Sequence, residues 1–295
     1  PFVICKKCGH KFQCPNCTVN LNFHKNLNKL LCHYCGHKSS LSRNCKNSKK
    51  CDLMFCGPGV ERIYTELKKI YPNKKIEIFS SDTLGKDKFT NELLKKVEKN
   101  KIDILVGTQL LSKGFHFPKL NCIVVVDGDF SSHGYDLRSA EKNVQLYHQL
   151  AGRAGREGNI STIYFQTYTP NDEVLFNISK NNPHAFLQKE LALRKEKKLP
   201  PFYRLISLII SGKNELLIMK IATSIKYKLP KINGVNILGP VFAPITKLKK
   251  MYRCRILIRY PKNLFIQKYL SEALKKIKIT SGIKLEVDVD PINFS

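Results

Sequence analysis

Nowhere in the 295 residues does the pattern G-x-x-x-x-G-K-[ST] occur. The backbone cradle that this motif builds for nucleotide phosphates is missing, so the chain alone is not expected to turn over ATP. No apolar run approaches the roughly 20 residues of a membrane-spanning helix, and a soluble, cytoplasmic protein without a membrane partner is expected. The front carries no secretory leader and no initiator methionine. It opens Pro1-Phe2-Val3-Ile4, which reads as the middle of a longer polypeptide. Acidic residues are scarce: 23 Asp and Glu stand against 51 Lys and Arg, for a formal net charge of +28. Such an excess favours a polyanionic partner, nucleic acid first. The abundant Lys, Asn and Ile of an AT-rich genome would give the same excess, so charge supports this partner without proving it.

What the sequence has in plenty is cysteine at its front. Of eleven cysteines, Cys56, Cys122 and Cys254 are scattered and eight lie between Cys5 and Cys51. Cys5–Cys8, Cys14–Cys17 and Cys32–Cys35 form C-x-x-C pairs, and Cys45 and Cys51 follow singly. Two residues between paired cysteines let one tight turn aim both sulfurs at a single ion. Gly9 and Gly36, directly after the second cysteine, permit the left-handed backbone that such a turn often needs. Four thiolates close a tetrahedral site with no open position, so zinc held this way is structural; eight thiolates suffice for two zinc ions. Residues 1–51 are too few and too polar to build a core alone, and metal would supply much of their folding energy. A disulfide framework is the alternative for paired cysteines, and the lack of a secretory context speaks against it. His10, His33 and His37 are alternative ligands.

With 42% hydrophobic residues the chain is globular, and its length suits two or three domains. A strand-like run, Ile102 to Val106, leads into Gly107–Phe117, GTQLLSKGFHF. Ser139 to Leu150 reads as a helix with Ala140, Val144 and Tyr147 on one face, and it runs into Gln149–Arg156, QLAGRAGR. There Ala151, Gly152, Ala154 and Gly155 keep the backbone slim while Arg153 and Arg156 leave the helix end. Arginines delivered this way can stabilise charge on a phosphoryl group during transfer. A solvated helix end with two unpaired charges is the plainer alternative. Together the two stretches resemble motifs V and VI of superfamily 2 helicases. The wording QLAGRAGR with GTQ-LL-KG-HFP is similar to that of the PriA family of primosomal replication-restart helicases (primosomal protein N prime).

The resemblance covers nearly the whole chain. Cys56-Gly-Pro-Gly59 is a turn before a helix marked by Val60, Ile63, Tyr64, Leu67 and Tyr71. GPGVER resembles the family's glycine-rich turn and glutamate, with Val60 where Thr is common. Lys75–Phe79 is a strand, and Ser81 or Asp82 caps a helix carrying Phe89, Leu93, Leu94 and Val97. Ser80 and Ser81 stand where the family has a charged Arg-Asp pair. Strand Cys122–Val126 ends at Asp127 and Asp129, acids that could bind magnesium. The resemblance implies instead a lobe–lobe contact region, DGD followed by YDLRSAEK. Thr162–Thr167 is a further strand. Strands alternating with helices predict a mostly parallel sheet covered on both faces.

Pro183 starts a helix, Ala185–Lys198, that Pro200-Pro201 stops; it reads as a solvated linker. Beyond it come strand Leu205–Ile210, helix Leu216–Leu229 with Leu217, Ile221 and Ile225 at spacing four, strands Val235–Phe242 and Tyr252–Tyr260, helix Leu264–Ile277 and strand Ile283–Val289. That order is the ferredoxin-like split βαβ plan. Between the middle strands lie Lys247, Lys249, Lys250, Arg253 and Arg255, with Tyr252 interleaved. This is a fair site for phosphates or unstacked bases, or else a polar hairpin. LGPVFAPITKLKKMYRCRILI and DVDPINF resemble the family's C-terminal domain, which is similar to a small-subunit ribosomal protein and is expected to meet branched DNA.

The expected architecture is α/β. A zinc-binding module at 1–51 is inserted in a RecA-like second helicase lobe at 52–182. A linker helix at 183–202 and an α+β ferredoxin-like domain at 203–295 follow. The resemblance implies the C-terminal part of an ATP-dependent 3′-to-5′ DNA helicase that restarts stalled forks and initiates primosome assembly, with ATP and magnesium held by a preceding lobe. It implies that Arg153 and Arg156 serve that nucleotide and that Thr108, Gln109, Lys113 and Gly114 couple nucleotide state to strand grip. Its nested cysteine pairs imply one zinc on Cys14, Cys17, Cys32 and Cys35. The other falls to Cys5, Cys8 and Cys45 with Cys51, because Ser48 stands where the family has a further cysteine. Branched and single-stranded DNA, single-strand-binding protein and primosome proteins are the implied partners. A motor-less zinc-bearing DNA binder, left by a split or decayed gene, is the main alternative. A zinc-ribbon translation factor would suit the cysteines and the charge but leaves QLAGRAGR unexplained.

Overall fold

A computed structural model of the chain describes residues 2–24, 27–41, 52–56, 59–79, 87–108, 117, 119–131, 136–152, 161–180, 182–292 and 294. Two compact units divide it. One joins Pro1–Phe55 to Gln188–Ser295 and takes in Tyr135–Leu137; the other holds Cys56–Gly134 and Arg138–Leu187.

The cysteine-rich front is built on short strands: β1 (Phe2–Cys5), β2 (Asn22–His24), β3 (Lys29–Leu31), β4 (Lys38–Ser40) and β5 (Leu53–Cys56), in the order β4-β3-β2-β1-β5. The strands are short because cysteine turns take up the chain between them. Val3, Leu21, Phe23 and Leu30 bury their side chains beside Cys14, Cys17 and Cys32. That is a small core for a sheet of five strands.

In the second unit, α1 (Val60–Ile70) precedes β6 (Ile76–Phe79), and α2 (Asp87–Glu98) precedes β7 (Ile104–Gly107). β6 and β7 pair in parallel, Ile76 opposite Ile104 and Phe79 opposite Gly107. Asp103 accepts from the Lys75 backbone N–H at 2.8 Å and so fixes where this pair begins. β8 (Cys122–Val125) and β9 (Thr162–Phe165) form a second parallel pair, with α3 (Ser139–Ala151) between them in the chain. The parallel pairing agrees with the alternating pattern. Among the described residues, however, there are two separate pairs rather than one continuous sheet. Val124 and Tyr164 are more than half exposed, so the short apolar runs that predicted strands buried on both faces have one open face here. α4 (Glu173–Ser179), capped by the Asp172 carboxylate, packs Val174 against Val144 of α3 and Phe186.

Phe186 lies on α5 (Pro183–Glu196), whose first turn is capped by Asn182 accepting from the Ala185 N–H. This helix is less solvated than its charge predicts. Arg194 is only 9% exposed; it pairs with Glu190 at 2.8 Å and donates to the Leu137 carbonyl at 2.8 Å. Its long apolar stem permits burial while the guanidinium keeps its partners.

The last domain follows the predicted order: β10 (Tyr203–Gly212), α6 (Glu215–Lys228), β11 (Asn236–Leu248), β12 (Met251–Pro261), α7 (Gln267–Lys275) and β13 (Ile283–Val289). Its four strands are antiparallel throughout, ordered β11-β12-β10-β13. α6 buries Ile218, Ala222 and Ile225; of the predicted Leu217, Ile221 and Ile225, the last is in the core, Ile221 packs at its edge and Leu217 is exposed. The apolar run LLIMKIATSI offers two stripes. Only 218-222-225-229 alternates steps of four and three, which holds one face at 3.6 residues per turn. Steps of four alone drift around the helix. β11 also runs beyond its predicted end, through Pro244. It is an edge strand, where a residue without an N–H leaves no ladder bond broken.

A bulge falls between Leu238 and Val241. Gly239 there has φ +89°, and a Cβ would lie 2.8 Å from the Arg255 carbonyl oxygen and 3.1 Å from the Val241 backbone nitrogen. Both contacts are backbone and cannot swing aside. Gly239→Ala is therefore expected to destabilise this domain by about 1–3 kcal/mol. Faster hydrogen exchange at the Leu208 and Ile256 amides would register it; unchanged exchange would contradict it.

Candidate metal centre and the motif-bearing lobe

Three C-x-x-C turns share one construction. The residue before the first cysteine bridges to the third residue after the second: Ile4 to Lys11, Gln13 to Asn20 and Leu31 to Lys38. Within each, the first cysteine's N–H donates across the turn, from Cys5 to His10, Cys14 to Val19 and Cys32 to His37, at 2.9–3.0 Å. In two of the turns a glycine N–H closes a tighter ring, Gly9 to Cys5 and Gly36 to Cys32, and these glycines take φ +68° and +75°. The glycines expected to supply left-handed backbone do so.

Two of these turns face each other. The sulfurs of Cys14, Cys17, Cys32 and Cys35 all lie within 4.8 Å of one another, and the Cys14 and Cys35 Sγ atoms are 3.5 Å apart. Thiolates at about 2.3 Å from a tetrahedral zinc lie about 3.8 Å from each other, so the set fits one such ion. Cys14, Cys17, Cys32 and Cys35 are thiols rather than disulfides, and among the described residues no histidine joins the cluster. His33 instead stands 3.3 Å from His24, ring nitrogen to ring nitrogen.

The sulfurs are already met by N–H groups. The Asn16 N–H reaches Cys14 at 3.4 Å, its side-chain amide reaches Cys35 at 3.9 Å, and the Lys249 N–H reaches Cys17 at 3.4 Å. Burial pushes the Cys14 thiol up to about 12, with the Cys35 and Cys32 sulfurs adding to the rise. Burial likewise raises Cys17, opposed by the Lys249 N–H. The His37 N–H chiefly holds Cys35 down at about 7. Four sulfurs this close do not all ionise without a cation between them, so metal uptake at neutral pH must expel protons from Cys14 and Cys17. Cys5 and Cys8 form the third turn. Burial acts to raise the Cys5 thiol, but the backbone N–H groups of Cys8, Asp52 and Lys7 bring it to about 6. Cys45 and Cys51, expected to complete that second set, lie outside the described residues.

In the lobe, Thr108 sits exposed directly after β7. Gln109, Lys113 and Gly114 lie outside the described residues, as do Arg153 and Arg156. What the structure describes is the support that leads to them. α3 ends at Ala151, and its C-cap, Gly152, directly precedes Arg153. It is anchored through Tyr147, whose ring stands edge-on to Phe165 at 4.9 Å and whose hydroxyl donates to the Gly128 carbonyl at 3.3 Å. Asp129 does not wait for magnesium. Its carboxylate accepts from the Thr167 and Thr169 hydroxyls at 2.5 and 2.6 Å and from the Tyr168 N–H at 2.8 Å. These donors hold its carboxyl at about 2. Sequence reasoning missed this network; the signal was Thr-Tyr-Thr one residue after β9. The predicted basic cluster Lys247, Lys249, Lys250, Tyr252 and Arg253 falls at the tip of the β11–β12 hairpin. Lys249 and Lys250 are exposed there, and the Lys247 ammonium lies over the Tyr252 ring at 5.4 Å.

Two family models match. "Helicase conserved C-terminal domain" covers residues 22–158, so it begins inside the cysteine-rich front, and "Primosomal protein N C-terminal domain" covers 195–292. Proteins named replication restart protein PriA align along the chain. The one from Rickettsia felis is 40% identical over 100% of the chain and 45% of its own length. That from Bacillus subtilis is 32% identical over 98% and 37%, and that from Haemophilus influenzae 31% over 100% and 41%. The chain belongs to the PriA family. It spans less than half the length of these relatives and corresponds to a C-terminal portion of a PriA protein. Within that portion lie a helicase C-terminal domain, a PriA C-terminal domain and a four-cysteine cluster able to hold a metal ion. Among the described residues, no helix is long and apolar enough to cross a membrane.

The Asp129 network carries a pH signature. Its folded carboxyl lies at about 2, below the ordinary 3.8. Its contribution to the lobe is therefore complete above about pH 4 and is lost as pH falls through about 2. Asp129→Asn is expected to lower the thermal midpoint at pH 5, and the gap to the parent should narrow as pH approaches 2. A gap that stays constant over this range would contradict the network.

Proposed function

We propose that this chain is the C-terminal part of an ATP-dependent 3′-to-5′ DNA helicase that restarts stalled replication forks and initiates primosome assembly in the cytoplasm. The observation that carries the reading is the alignment of PriA relatives along at least 98% of the chain, together with the helicase match at 22–158. It speaks against the motor-less alternative.

In this reading ATP and magnesium are held by a first lobe, and residues 52–182 form the RecA-like second lobe. Arg153 and Arg156 reach the nucleotide; Thr108, Gln109, Lys113 and Gly114 couple its state to the grip on the strand. The parallel strand pairs and the Tyr147 anchor support this, because they fix the helix that leads into Arg153. Residues 203–295 are a ferredoxin-like domain, supported by the β11-β12-β10-β13 antiparallel order. Lys247, Lys249, Lys250, Tyr252 and Arg253 there contact branched or single-stranded DNA, which the net charge of +28 favours. Residues 1–51 take two zinc ions. Cys14, Cys17, Cys32 and Cys35 hold one. Cys5, Cys8, Cys45 and Cys51 hold the other, supported by the identical build of the Cys5–Cys8 turn. Zinc here organises the backbone and does no chemistry, since four thiolates leave no open position. Single-strand-binding and primosome proteins complete the set of partners.

The test is Arg156→Ala in a polypeptide that also carries the first lobe. A guanidinium that meets the γ-phosphate only in the reacting state acts on turnover rather than on nucleotide affinity. DNA-stimulated ATP hydrolysis is expected to fall about a thousandfold with DNA binding nearly intact. Arg156→Lys should rescue poorly, because a point charge does not copy a planar fork. Arg153→Ala belongs beside it. Hydrolysis at the parental rate in both alanine variants would remove the arginines from the mechanism.

A further inference from the structure

The tip of the β11–β12 hairpin is a two-residue turn, Lys249-Lys250, with φ +49° and +68°. Hairpin turns of this kind favour Asn or Gly, because left-handed backbone crowds a Cβ. Two consecutive lysines held this way need a compensating contact, and the turn makes several. The Lys249 N–H donates to Cys17 Sγ at 3.4 Å, and the Lys250 N–H to the Asn16 carbonyl at 2.7 Å. Just before the turn, the Lys247 carbonyl accepts from the Thr18 N–H at 2.9 Å, and its own N–H donates to the Thr18 hydroxyl at 2.9 Å. Leu248 packs against the buried cluster that includes Cys14 and Cys17. The last domain thus grips Asn16, Cys17 and Thr18 through backbone, while the ammonium groups of Lys249 and Lys250 point to solvent.

These contacts bear on the metal ligands directly. Four thiolates around a divalent cation leave two negative charges, and N–H groups aimed at sulfur disperse them and orient the ligand. Asn16 serves Cys14 and Cys35 while its carbonyl receives Lys250, and Cys17 receives Lys249. We propose that the C-terminal domain completes the inner metal site. The Lys249 N–H is a positioning donor to metal-bound Cys17, and the hairpin and the metal stabilise each other across more than two hundred residues of sequence. Because coupling is reciprocal, loss of the metal releases the hairpin that carries the exposed lysines.

The inference rests on metal binding at Cys14, Cys17, Cys32 and Cys35, so zinc titration of the stripped full chain comes first. Failure to bind would sink the metal reading itself and the clasp with it. With binding established, zinc release to a chelator is compared for the parent, Lys249→Ala, Lys249→Gly and Lys249→Pro. The first two variants keep the N–H and only the last removes it. Lys249→Pro is expected to release zinc at least about tenfold faster, with Lys249→Ala and Lys249→Gly near the parent. In the cobalt-loaded chain the sulfur-to-metal charge-transfer band should shift in Lys249→Pro alone. Because proline does not adopt the parental backbone here, a second measurement uses the unchanged chain. The Lys249 and Lys250 amides should exchange at least about tenfold faster after zinc is stripped, while Leu208 and Ile256 stay protected. Parental release from Lys249→Pro, equal acceleration in Lys249→Ala, or exchange at Lys249 and Lys250 indifferent to zinc would overturn the clasp.

Discussion

Four sulfurs within 4.8 Å of one another form an arrangement that a protein does not hold as thiolates unless a cation lies among them. Burial pushes Cys14 and Cys17 toward the protonated form, and a close-packed set of neutral thiols offers little cohesion in return. A divalent ion reverses both terms at once, by accepting the charge and by closing the tetrahedron. The rest of the front module depends on that exchange. Its strands are three or four residues long, and its buried apolar set is small. The turns that carry the cysteines are nevertheless each closed by backbone hydrogen bonds. The hairpin of the last domain then closes over one of these turns. A failure at the cluster would therefore reach residues far in sequence from its four cysteines.

What was legible in the sequence was local. A C-x-x-C-Gly-His segment specifies its own turn, because the bonds from Cys5 to His10 and from Cys32 to His37 span five residues and need only a left-handed glycine. Alternation of apolar runs and helical stripes was enough to order the elements of the last domain. Where two stripes competed on α6, packing chose the one centred on Ile218, and only the sheet could decide that. The extension of β11 through Pro244 was hidden because proline reads as a strand breaker until the strand is known to lie at an edge. Least legible were the bonds between distant segments: Lys249 to Cys17, Asp129 to Thr167, and Arg194 to the Leu137 carbonyl. None of these has a spacing that a reader of the chain could follow.

The lobe shows a different division between scaffold and site. Tyr147, Phe165, Gly128 and the Asp129 network tie α3 to the ends of the parallel β8–β9 pair, which is the kind of rigid support that positions residues just beyond a helix end. The motif residues Arg153 and Arg156 stood out as arginines leaving the end of a helix read from its apolar periodicity, and the resemblance to helicase motifs gave them their expected role. One face of the β8–β9 pair, with Val124 and Tyr164, is open to solvent. The strands there alternate exposed with half-buried residues, so apolar content alone overstated their burial.

The central claim is that a metal ion held by sulfur alone organises the front of this PriA-family chain. X-ray absorption at the zinc edge on the purified chain tests it most directly. The account predicts bound zinc with a sulfur-only shell at about 2.3 Å. A chain that purifies without metal and with Cys14, Cys17, Cys32 and Cys35 in disulfides, or a shell containing nitrogen or oxygen at the inner site, would contradict it.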